Sequence, residues 1–226
     1  MSSEVHRLSV ASPSQDSAAT SRTCSRQSAR KGGALSDLLA VAASHPIRIV
    51  NNDDLQRSRL TVFFRMLLTI PHYIWLMLFG IAAMVVVVAA WFVGLVRGRV
   101  PDGMHGFLTR YLRYWVYVNA YAGLAADPFP PFNGAPGIYP IDLEVDPAAA
   151  QSRLTIFFRY LLAIPALIIS GVLNYLLNII AFFGWFYALF TGRMSPGMER
   201  VLLYGLRYHA QTYAYVFLLT GKYPSL

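Results

Sequence analysis

The chain has 226 residues, of which 56% are hydrophobic and only 13% charged, with a mean hydropathy of +0.45. Soluble domains carry about 25% charged residues, so this composition excludes an ordinary soluble globule and points to the bilayer. The net charge of +8 is almost all arginine, set in an N-terminal tail and at the ends of apolar runs, which suits phospholipid head groups rather than a nucleic-acid face.

Residues 1–44 are rich in Ser, Ala and Arg and contain no aromatic side chain. Such a segment buries too little apolar surface to offset its chain entropy and is expected to be a disordered tail on the cytoplasmic side. Its apolar patch GALSDLLAVAA is interrupted by Asp37 and is too short for a secretory signal. Cys24 is the single cysteine, which excludes an intrachain disulfide and a cysteine metal cluster.

PIRIV from Pro46 alternates like a short strand, and PIDLEV from Pro140 does the same. From Ser58 the period changes: Ser58, Thr61, Arg65 and Thr69 recur opposite Leu60, Phe63, Phe64, Leu67 and Leu68, the pattern of an interfacial amphipathic helix ending before Pro71. An uncharged run from Tyr73 to Val96 follows, long enough to cross the hydrocarbon core. A glycine-rich hairpin, RGRVPDGMHG, then leads to a more polar helix with Arg110, Arg113, Tyr114, Tyr117 and Tyr121 on adjoining rows.

All of this occurs twice. RLTVFFRMLLTIP from Arg59 returns as RLTIFFRYLLAIP from Arg153, and at that shift of 94 residues 29 of the 86 positions from 46 to 131 are identical. The chain is therefore a tandem duplication. The expected fold is an all-α membrane protein with four transmembrane helices in two tandem helical hairpins, arranged as parallel repeats. A short strand and an interfacial amphipathic helix precede each hairpin. The boundaries read from the sequence are a tail at 1–44, a first repeat at 45–131 with spans at about 72–96 and 107–124, a connector at 132–138, and a second repeat at 139–226 with spans at about 166–190 and 201–219.

The order of elements carries a resemblance to a known family. Arg-Leu-x-x-x-x-Arg-x-x-x-x-x-Pro, Trp91-Phe92 and Trp185-Phe186, the Gly-Arg hairpin, Leu-Arg-Tyr in the second helix and a Pro-aromatic end resemble the bacterial integral membrane family DUF4389. The likeness covers residues 45–225 in two copies and departs from the pattern only at Ser225, after Tyr223-Pro224. It implies the fold and an uncharacterised role, and brings neither a catalytic motif nor a cofactor.

Five histidines, His6, His45, His72, His105 and His209, show no ligand spacing, so no metal is expected. Asp142, Glu144 and Asp146 alternate as on a solvated strand face, and no phosphate-binding or nucleophile motif is present. Arg113 with Tyr114 and Arg207 with Tyr208 lie inside helices in both copies and are candidates for a ligand or a lipid head group. Arg59, Arg65, Arg153 and Arg159 are expected at the interface, and Ser170, Asn174 and Asn178 at polar contacts between helices. These features predict a non-catalytic protein of the cytoplasmic membrane, an accessory subunit or organiser with both termini cytoplasmic. Its partners would be membrane lipids and a membrane protein or a second copy, with no nucleic acid. A small oligomeric transporter or channel is the competing expectation.

Overall fold

The computed structural model describes residues 45–225, so the expectations for the tail lie outside the described residues. In chain order the elements are β1 Ile47–Asn51, α1 Arg59–Arg97, α2 Asp102–Ala122, β2 Ile141–Val145, α3 Arg153–Phe157, α4 Arg159–Thr191 and α5 Pro196–Val216. In place of an interfacial helix, a bend and a span, α1 is one helix of 39 residues that runs through Pro71. Pro71 lacks an N–H and costs the helix one bond, but its ring sits on the exposed side. In the second copy the break falls earlier, at Phe158 between α3 and α4, and α4 runs through Pro165.

The four long helices divide into two kinds. Among the described residues α1 and α4 alone are long and apolar enough to cross a membrane, and their large side chains from Leu60 to Val96 and from Leu161 to Phe190 point mostly outward. The polar stripe of the first turns faces inward, with Arg65 and Thr69 buried and Leu60 and Phe63 exposed. By contrast, α2 and α5 form the core, where Leu108, Leu112, Tyr117, Ala210 and Ala214 are buried together. The polar helices expected as two further spans are thus the inner layer of the protein. Their tyrosines need partners that lipid cannot give.

The sheet settles how the repeats face each other. β1 pairs antiparallel with β2, matching Ile47 to Val145, Ile49 to Leu143 and Asn51 to Ile141. Ile49 and Leu143 are equivalent under the 94-residue shift, so the ribbon maps onto itself by a two-fold rotation. The tryptophan and hairpin contacts between repeats obey the same rotation. Trp91 Nε1 donates to the Ile156 carbonyl (3.0 Å) while Trp185 Nε1 donates to that of Val62 (2.8 Å). The backbone N–H of Gln151 reaches the Gly98 carbonyl (2.8 Å), and that of Arg57 reaches the Gly192 carbonyl (3.0 Å). Each repeat thus begins against the hairpin of the other, an isologous arrangement of antiparallel repeats rather than the parallel one expected. The shift establishes which residues are equivalent and carries no direction, whereas the strand pairing does. Both hairpins leave their long helix through a left-handed glycine, Gly98 at φ 70° and Gly192 at φ 71°, where a side chain would be strained.

Candidate functional site

Buried arginines hold the ends of the inner helices. Arg65, 1% exposed, donates to the carbonyls of Tyr121 and Ala126 and to Asp127 Oδ1 at 2.8 Å, and its guanidinium lies 4.3 Å over the Tyr121 ring. Arg159, fully buried, repeats the arrangement on the carbonyls of Tyr215 and Thr220 (both 2.7 Å) and over the Tyr215 ring at 4.5 Å. The Tyr121 and Tyr215 carbonyls belong to the last turns of α2 and α5, where no partner within the helix remains, and those of Ala126 and Thr220 to the segments just beyond; an arginine fork can take two at once. Arg57 adds the carbonyls of Leu124 and Ala125 and pairs with Asp53 at 2.7 Å. Burial thus puts Arg65 and Arg159 inside the protein, while Arg59 and Arg153 remain exposed at its ends.

The two arginine–tyrosine pairs come out unequal. Arg113 is buried, donates to the Leu143 carbonyl at 3.1 Å and pairs with Asp142 at 3.0 Å, which ties α2 to β2 and the connector. Asp142 also accepts from the Tyr117 hydroxyl (2.8 Å) and the Gly137 N–H (2.6 Å). Arg207 is half-buried, and its described contact is Tyr204, 5.8 Å from the ring centroid. Tyr114 points away from Arg113 and meets His72 Nδ1 at 2.8 Å; Tyr208 is buried. The alternating carboxylates are engaged too, for Glu144 and Asp146 face Arg48 across the ribbon at 3.2 and 3.5 Å.

Of Ser170, Asn174 and Asn178 on α4, Ser170 alone reaches another helix, its hydroxyl meeting His209 Nδ1 of α5. Asn178 donates to its own helix at the Asn174 carbonyl (2.7 Å), and the Asn174 side chain has no hydrogen-bond partner among the described residues. Both asparagines instead line a cavity of about 380 Å³ between α1, α2, α4 and α5, within the size range of small-molecule sites. Arg65, Thr69, Asn119 and His209 also line it, beside the walls Trp115 and Trp185. His209 is buried, and its Nε2 has no hydrogen-bond partner. Sequence reasoning missed His209, whose signal was its place opposite Trp115 in the repeat, and it took the asparagines for helix contacts.

These features define a class: a duplicated helical protein with an inner polar pair, two outer helices of membrane length, and a polar cavity between the repeats. A family model described as "Domain of unknown function (DUF4389)" matches residues 59–133 and again 153–226. The chain belongs to that family, with two tandem copies of the domain. No curated protein and no solved structure matches it.

Proposed function

We propose that this chain is a non-catalytic integral protein of the cytoplasmic membrane, an organiser that holds lipid and a membrane partner, with α1 and α4 in the bilayer and the tail in the cytoplasm. The observation that carries this reading is the division of labour among side chains. Arg57, Arg65, Arg113 and Arg159 direct their N–H groups to carbonyl oxygens inside the protein. The outward surface of α1 and α4 is mostly Leu, Ile, Val, Met and Phe, which suits acyl chains, with Tyr and Trp among them and Asn174 and Asn178 exposed on α4. Purification in a mild detergent, followed by mass spectrometry of bound proteins and lipids, is expected to return bound lipid and a stoichiometric membrane partner. A lipid-free homo-oligomer that moves solute across liposomes would overturn this in favour of a small oligomeric transporter.

A further inference from the structure

The cavity has no counterpart in chemistry on the other side of the two-fold axis. There the residues equivalent to Asn119 and Gly123 are Tyr213 and Phe217, whose rings stack 6.0 Å apart, and Tyr111 lies 5.7 Å from Phe217. Tyr111 also closes on Gly80, the equivalent of Asn174: its hydroxyl is 3.1 Å from where a Gly80 Cβ would stand. The same frame is therefore plugged by aromatic rings in one half. In the other, a glycine and an asparagine stand where two of those rings would be.

The polarity changes with the volume. Thr69, Asn119, Asn174, Asn178 and His209 on the cavity side answer to Ala163, Tyr213, Gly80, Met84 and Trp115. Asn119 and Asn178 each use one amide N–H on their own helix, at the carbonyls of Trp115 (2.8 Å) and Asn174 (2.7 Å). Their amide oxygens and second N–H groups stay available, as does the whole Asn174 amide. His209 Nε2 is buried without a partner, while Ser170 holds the other ring nitrogen. A buried polar group left unpaired is costly, so a group that pairs with it is bound by more than shape.

We infer that this cavity is a binding site for one neutral lipid whose small head carries carbonyl or hydroxyl oxygens, of acylglycerol or prenylated-quinone chemistry. Neutrality follows from Arg65, the cation lining the cavity, whose charge Asp127 already balances at 2.8 Å. The oxygens match the amide and imidazole groups, which both donate and accept. The apolar body matches Trp115, Trp185 and the mouth, where Met66, Tyr73 and Phe182 are exposed on the surface that α1 and α4 turn outward.

The inference rests on reading the chain as a lipid-holding membrane protein, and one preparation tests the two separately. The detergent-purified full chain is analysed for bound lipid and titrated with a short-tailed benzoquinone, a quencher of Trp115 and Trp185 fluorescence, with and without dioctanoylglycerol. The double variant Asn119→Tyr, Gly123→Phe fills the cavity with the residues of the other half. Its backbone can accept them, because Gly123 at φ −79° and ψ 4° matches Phe217 at φ −80° and ψ 9°. The expected result is a neutral lipid in the wild type, saturable quenching, and a loss of both by about tenfold or more in the filled variant with thermal stability retained. Asn174→Leu with Asn178→Leu should lower the affinity without closing the cavity. Displacement by the acylglycerol, or its failure, assigns the source of the head group. Phospholipid without neutral lipid, or quenching unchanged in the filled variant, overturns the site and leaves the broader reading standing. A chain that retains no lipid of any kind overturns both.

Discussion

Arg65 and Arg159 stand at equivalent positions, grip equivalent carbonyls and lie over equivalent tyrosines, yet the first has a carboxylate and the second does not. The place of Asp127 is taken by Gly221, and Arg159 turns instead to the side-chain oxygen of Gln151, the equivalent of Arg57. Three carbonyl-type oxygens, those of Tyr215, Thr220 and Gln151, keep the Arg159 fork in place without a counter-ion. What the two repeats share is therefore the machinery that closes each inner helix. What they do not share, the carboxylate, the amides and the missing rings, has accumulated around one cavity.

The comparison can be broken most forcefully at these two arginines. Arg65→Met leaves Asp127 and two carbonyls behind, and should cost about 3–5 kcal/mol of stability, the range for breaking a buried pair from one side. Arg159→Met strands carbonyls alone and should cost about 1–3 kcal/mol. Thermal unfolding in detergent that ranks the two variants in the reverse order would refute the assignment. A second inequality follows from Arg113, which holds Asp142 and the Leu143 carbonyl. Arg113→Lys should cost about 1.5–3 kcal/mol, as for hydrogen bonds to charged groups. Arg207→Lys, without such partners, should stay within about 0.5 kcal/mol of the wild type. Equality is expected at the tryptophans instead: Trp91→Phe and Trp185→Phe each remove one N–H donor at a contact between repeats and should each cost about 0.5–1.5 kcal/mol.

The smallest effect concerns pH. Burial lowers the pKa of His45, and its neutral Nδ1 lies 3.2 Å from the Ile47 N–H at the start of β1. A histidine with a depressed folded value favours the neutral form. Its contribution is present above the unfolded value of 6.5 and declines as pH falls through 6.5 toward the folded value. Unfolding midpoints followed from pH 7.5 to 5 should therefore decline less in His45→Gln than in the wild type.

Much of the frame was legible from residues alone. The 94-residue shift alone marks the two short strands, the hairpin glycines and the recurrent Arg65 and Arg159, though not that the strands pair with each other. Their burial was not legible, because a polar stripe on an otherwise apolar helix reads the same whether it faces head groups or a protein interior. Pro71 misled for a related reason: the helix continues where the ring can lie on an exposed side. The inequality of Arg113 and Arg207 was in the sequence all along, since Asp142 in one copy answers to Arg48 in the other. The cavity needed the fold, because Asn119 and Asn174 come from different repeats and meet only after the antiparallel docking.

On the membrane reading proposed above, the two-fold relation also bears on how the chain would be threaded into a bilayer. Arg57, Arg59, Arg193 and Arg200 gather where the first repeat starts and the second hairpin turns, and Arg97, Arg99, Arg153 and Lys222 at the opposite end, four against four. Insertion is oriented by an imbalance of Lys and Arg between the flanks of a helix, and these two ends offer none. The decision is left to the first 44 residues, with Arg7, Arg22, Arg26, Arg30 and Lys31. A chain shorn of them should be inserted in both directions, visible as partial labelling by an impermeant thiol reagent of a cysteine placed at Asp102, where the full chain labels uniformly.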